Sequence, residues 1–168
     1  CERVTRDVLG VAAADQGVGS EIRCATELHD ALGNAVGVPL FLVRMLEESI
    51  SNPSGCLFPH RNIATGETDF ETIRRILFIY WSAVRKTFPD AWGKPPTQSR
   101  LMHGVGLRAM GRLMDKVMGS LNPAEVNAQD HAQAAMDRVA PYCRWTSGDW
   151  DELSLQWNDL ENTSRTQR

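Results

Sequence analysis

Residues 68–118 read TDFETIRRILFIYWSAVRKTFPDAWGKPPTQSRLMHGVGLRAMGRLMDKVM, and this stretch decides the architecture. Thr68 and Glu71 form a T-x-x-E capping box, in which each side chain would satisfy a backbone N–H left unpaired at a helix start. Behind the box, Phe70, Ile73, Leu77, Trp81, Val84 and Phe88 recur at spacings of three and four, which marks one helical face. Ile76, Phe78, Ile79 and Tyr80 spread apolarity around the middle turn. A helix over 68–88 is therefore predicted, central and enclosed by neighbours on most sides. A strand over ILFIYW is the competing reading, and the cap and the longer period favour helix. Each large side chain buried this way contributes ~1.5–3 kcal/mol, so this helix should dominate stability. Pro89 ends it, since proline supplies no N–H and clashes with the preceding turn.

Lys94-Pro95-Pro96 is a stiff link, after which a second helix is predicted from Thr97 or Gln98, with Leu101, Val105, Met110, Leu113, Met114 and Val117 on its apolar side. Gly104 and Gly111 share a face there and would let another backbone approach, at a cost of ~1 kcal/mol each in helix propensity. Upstream, Pro39 opens a predicted helix running to Ser51 with Leu42, Val43, Leu46 and Ile50 inward. Residues 52–66 are a surface connection, and weaker helical patterns fall at 2–9 and 20–32. Downstream, Asn122 as cap and Pro123 at the first helical position predict a helix to Val139. In the tail Trp150, Leu153 and Trp157 also stand at helical spacing. The fold class expected is all-α: an irregular bundle of about five or six helices around the apolar helix 68–88. It forms one domain over 1–168, with 68–160 as helical core and 1–67 as a less defined sub-region.

Composition sets the outer limits. The chain has 168 residues, 42% hydrophobic and 23% charged, which suits one folded domain rather than a disordered segment. A net charge of −3 provides no global field for nucleic acid, so any such contact needs a local basic patch. No apolar run approaches the ~20 residues that span a bilayer. Cys1, Cys24, Cys56 and Cys143 form no CxxC pair and suggest a reducing cytoplasm. The chain opens on Cys1 without an initiator Met and closes on a polar run, so a piece of a longer protein is expected.

The candidate chemistry is sparse. Zinc needs three or four convergent ligands, whereas Cys56 and His60 make one close pair, and His29, His103 and His131 are scattered; no metal or cofactor is expected. No nucleophile elbow or phosphate loop occurs, so no catalytic residue is assigned. Asp149, Asp151, Glu152, Asp159 and Glu161 read as a solvated acidic face. Arg108, Arg112 and Lys116 fall at i, i+4 and i+8, with Arg100 two turns earlier. Such a ridge can lie along DNA phosphates, although a solvated helix face has the same pattern. Arg74, Arg75, Arg85 and Lys86 mark the wet side of the central helix. The five tryptophans could stack nucleobases, but core packing explains them better.

Two stretches, YWSAVRKTFPDAWGKPPTQSRLMHGVGLRAMGRLMDKV (80–117) and WTSGDWDELSLQWNDLENTSR (145–165), carry a resemblance. An aromatic helix, an F-P-x-x-W corner, a Gly-rich helix and a closing W-T-x-x-x-W…W-N pattern resemble the C-terminal half of the DGQHR-domain family, which includes DndB-like DNA sulfur-modification proteins. The resemblance covers roughly 68–165. It implies a helical module behind an N-terminal ParB-like domain, accessory or regulatory in a bacterial DNA-modification or phage-defence system, without catalysis of its own. The implied partners are DNA and other modification-system proteins. The D-G-Q-H-R motif is absent from this chain, so the transfer stops at scaffold positions Trp81, Phe88, Pro89, Trp92, Gly104, Trp150, Trp157 and Asn158. Two alternatives stay open: a protein-interaction or oligomerisation module unrelated to DNA, and an enzyme whose site is shared with a preceding segment.

Overall fold

The structure, a computed structural model, describes residues 38–62, 64–151 and 154–159, with backbone alone over 38–43. Four α-helices carry these residues: α1 (Val38–Ser51), α2 (Phe70–Thr87), α3 (Gly104–Met118) and α4 (Ala128–Val139). Two single 3-10 turns and a two-stranded antiparallel pair, β1 (Asp149–Trp150) with β2 (Leu155–Gln156), complete the set. The protein is mostly helical, as expected. The expected five or six helices are four among the described residues, and the patterns at 2–9 and 20–32 lie outside them. No described helix is long and apolar enough to cross a membrane.

Helix α2 starts on a different cap from the one expected. Thr68 is held in an extended bridge with Arg61, and its hydroxyl has no partner. Asp69 caps instead, its carboxylate accepting the Thr72 N–H at 3.0 Å and the Thr72 hydroxyl at 2.7 Å. These two bonds hold the Asp69 carboxyl below its usual range. Glu71, expected to reach back to the cap, pairs forward with Arg74 at 2.6 Å. The cap thus falls one residue further along, on Asp69, whose own N–H donates to the His60 carbonyl at 2.9 Å.

The buried face of α2 is Ile73, Ile76, Leu77, Ile79, Tyr80, Trp81, Ala83 and Val84. Enclosure is incomplete, because Phe78 is 56% exposed. The principal partner of α2 is α4, whose buried residues Ala128, Ala132 and Ala135 are small enough to let the two backbones approach. Two glutamines clasp this seam: Gln129 Nε2 donates to the Ile79 carbonyl at 3.2 Å, and Gln133 Nε2 to the Thr87 hydroxyl at 2.8 Å. Helix α3, expected to nest on α2, packs mainly on α1. Across the narrower α2–α3 seam the buried Tyr80 hydroxyl donates to the Met110 carbonyl at 2.7 Å.

Helix α3 begins at Gly104 rather than near Thr97. The N–H groups of Gln98 and Ser99 both turn back to the Pro95 carbonyl, at 2.8 and 3.1 Å, so residues 94–103 run as turns. This loop lies against the start of α3: a Cβ on Gly106 would fall 1.9 Å from the Arg100 carbonyl oxygen. A Cβ on Gly111 would fall 2.2 Å from Cγ of Met45 on α1. Close approach thus uses Gly111, as expected, and also Gly106. All six methionines are buried, as suits an irregular helix junction that needs adaptable filling.

Helix α4 also starts late. Asn122 Oδ1 accepts the Ala124 N–H at 3.1 Å, a local turn that competes with helix, and regular structure waits until Ala128. The tail folds as a hairpin where a helix was expected, with Trp150 in register with Leu155 and Trp157 N–H donating to the Gly148 carbonyl at 3.0 Å. Leu153 lies outside the described residues. Seven positions separate Trp150 from Trp157, a spacing that fits two helical turns or the two arms of a hairpin.

Candidate functional site: an aromatic and basic cleft

The last three turns of α2 present Phe78, Ser82 and Lys86 at i, i+4 and i+8, beside Trp81 and Arg85. These side chains share one face, and the elbow after α2 closes its end with Pro89 and Trp92. The resulting cleft holds about 550 Å3, within the ~300–1,000 Å3 usual for small-ligand sites.

Local sequence builds the elbow. Phe88 caps α2 by donating its N–H to the Val84 carbonyl, and the N–H groups of Ala91 and Trp92 return to the Phe88 carbonyl at 3.1 and 3.0 Å. Buried Ala91 pins the turn from inside, and Gly93 leaves it at φ +71°, a region side chains avoid. Phe88 meets Trp145 edge to face at 6.0 Å, which anchors the elbow to the C-terminal segment. Trp92 is thereby set against Trp81, ring centres 6.2 Å apart and planes tilted by 49°. Trp81 lines the cleft although only 2% exposed, and its buried Nε1–H has no partner.

Arg85 and Lys86 are exposed, and neither is in an ion pair among the described residues. Both stand in the last turn of α2, where cations also offset the negative end of the helix dipole. The arrangement therefore joins aromatic faces, one of them solvent-facing on Phe78, to two available cations. A flat, electron-rich ring bearing an anionic group is what this combination accommodates.

The ridge expected from sequence is placed elsewhere. Arg108, Arg112 and Lys116 lie on α3, and Arg108 pairs with Glu48 of α1 at 2.9 Å. Arg100 sits in the loop before α3, half-buried, its guanidinium bonded to the Pro96 and Asn158 carbonyls. Arg112 and Lys116 are exposed. Among the described residues, the structure gathers no three His, Cys, Asp or Glu side chains into a metal-sized group.

The remaining polar cluster has a structural use. Asp115 Oδ1 accepts the Ser49 hydroxyl at 2.5 Å and the Cys56 N–H at 3.0 Å, tying α1, the following turn and α3 together. Burial, with the Asp115 charge second, pushes the Cys56 thiol up to about 12, which removes it as a nucleophile near neutrality. His103, a candidate ligand from sequence, is the cap of α3: its Nδ1 accepts the Val105 N–H at 3.4 Å. Sequence reading missed the cleft because Phe78 counted as core and Arg85 and Lys86 as solvated surface. The available signal was a large aromatic standing four and eight positions from the helix's polar and cationic residues.

Comparison with known proteins overturns the resemblance drawn from sequence. The chain is 36% identical over 77 residues to the isoleucine–tRNA ligase of Methanoculleus marisnigri, a stretch covering 45% of this chain and 7% of that ligase. The ligase of Methanoregula boonei gives 36% over 77 residues, with the same coverage. That of Methanospirillum hungatei gives 30% over 76 residues, again 45% of this chain and 7% of the ligase. These relatives are of a different kind from DGQHR-domain proteins, and the DNA-modification and phage-defence expectations fall with that assignment. The interaction-module alternative gains no support either. A helical, F-P-x-x-W-bearing pattern reports how helices turn and pack, which unrelated proteins share, and so it misled. No family model and no solved structure matches the chain.

Proposed function

We propose that this chain is an RNA-contacting helical segment of a protein akin to the isoleucine–tRNA ligases, with the α2–elbow cleft as its contact. The observation that carries the reading is the similarity to three such ligases, each described by its name as acting with tRNA. The matched stretch is a small fraction of those ligases, so aminoacylation itself is not assigned to it. The cleft's chemistry supports RNA: a chain of net charge −3 keeps Arg85 and Lys86 unpaired beside exposed Phe78. The free thiols of Cys56 and Cys143 suit a reducing compartment, and the cytoplasm is the proposed location.

Filter binding of a tRNA to the purified chain tests this. Saturable binding should weaken by an order of magnitude or more between about 50 and about 200 mM salt, as counterions released by phosphate contacts demand. Failure to retain tRNA at the lower salt ends the proposal.

A further inference from the structure

We infer that the cleft takes a single unstacked nucleotide of an RNA strand, its base against Phe78 and Trp92 and its phosphate between Arg85 and Lys86. The inference rests on the RNA-contact reading and narrows it to one nucleotide at a defined place. Three features of the cleft carry it.

The first is Phe78. A large aromatic 56% exposed on a helix whose other large apolar residues are almost all buried has no packing role among the described residues. Its ring is available for stacking. The second is the pair of cations: Arg85 and Lys86 line the same cleft, about two turns beyond Phe78, with no carboxylate in the lining to neutralise them. The third is shape. Trp92 is held by the elbow at a fixed tilt over Trp81, so the cleft is walled at one end by an ordered ring. The rings of Phe78 and Trp92 and a proline, backed by buried Trp81, accept any base without a hydrogen-bond code, and two cations accept a phosphate. A base within a duplex is already stacked on its neighbours and cannot enter, which makes an unpaired position the requirement.

Two uses of these residues compete with the inference. Arg85 and Lys86 offset the dipole of α2, and Trp92 packs against the core. Neither use calls for Phe78 at the surface.

Titration of the whole chain with AMP, a short single-stranded oligoadenylate and an RNA duplex, followed by calorimetry and tryptophan emission, tests the assignment. AMP and the single strand should saturate and perturb Trp emission, the strand more tightly, while the duplex leaves emission unchanged. Phe78→Ala should weaken the single strand about tenfold without moving the melting temperature, since its side chain is largely in water. Arg85→Gln/Lys86→Gln should flatten the salt slope by about one to two phosphates' worth.

Absence of any saturable response to AMP and oligoadenylate overturns the inference. So does unchanged affinity in Phe78→Ala; tRNA retention that persists in that variant would leave the broader RNA reading standing alone. Saturation by AMP in a chain that does not retain tRNA has the opposite meaning. It sinks the RNA reading and leaves a nucleotide site.

Discussion

His103 shows how one side chain links capping to pH. Its Nδ1 accepts a backbone N–H at the start of α3, so the imidazole must be neutral on that nitrogen. Burial and, second, the Arg100 guanidinium hold its pKa below the ordinary histidine value of 6.5. The unfolded chain therefore binds the proton more readily than the folded one. The cap's contribution is present above pH 6.5 and is lost as pH falls through the folded value. Lowering the pH from about 7.5 to about 5 should reduce stability in urea unfolding, and His103→Asn, a cap that does not titrate, should remove that component. An identical pH response in the variant would discard this account.

The thiols obey the same logic at the alkaline end. Burial raises Cys143 to about 11 and Cys56 to about 12, against 9 for a free group. Unfolded thiols ionise first, so stability conferred by these two groups is present below pH 9 and declines as pH climbs towards the folded values. Ellman's reagent at neutral pH should leave both unmodified until denaturant is added. Fast modification of either in the native chain would show that it is not shielded as described.

At the scale of elements, the two close-approach glycines of α3 differ in what they face. Gly106 faces the Arg100 carbonyl at 1.9 Å from an added Cβ, a backbone atom in a loop fixed by further hydrogen bonds. Gly111 faces Cγ and Sδ of buried Met45, side-chain atoms that have more room to shift than a backbone carbonyl. Alanine raises helix propensity by about 1 kcal/mol at both positions. At Gly106 the overlap should outweigh this gain, giving a net loss of roughly 1–3 kcal/mol; at Gly111 the net change should be smaller. Thermal unfolding of the two variants gives the order, and a Gly106→Ala variant as stable as the parent would place the loop elsewhere.

At the scale of the whole molecule, stability depends on joining two helix pairs, α1 with α3 and α2 with α4. Asp115 holds the first pair by accepting from Ser49 and Cys56, and the Tyr80 hydroxyl bridges to α3 from the second pair. Removing the carboxylate strands two donors, one on a side chain only 1% exposed. Asp115→Ala should cost roughly 2–4 kcal/mol in chemical denaturation. Asp115→Asn keeps an acceptor oxygen and should restore more than half of the loss. Equal destabilisation by both variants would mean that the charge, not the acceptor, matters.

What the sequence settled by itself was local and periodic. The run of apolar residues from Ile73 to Val84, the stop at Pro89 and the inward positions Leu46 and Ile50 follow from a 3.6-residue repeat and from backbone rules that need no partner. Only the tertiary structure decided which neighbour each helix takes and how Trp92 and Phe78 come to line one cleft. Those outcomes rest on contacts between residues far apart in the chain, such as Tyr80 with Met110 and Trp145 with Phe88. A side chain's value as core or as surface is fixed only when the opposing element arrives. Phe78 shows this: its place in the repeat marked it apolar, and only the packing of α2 left it facing water.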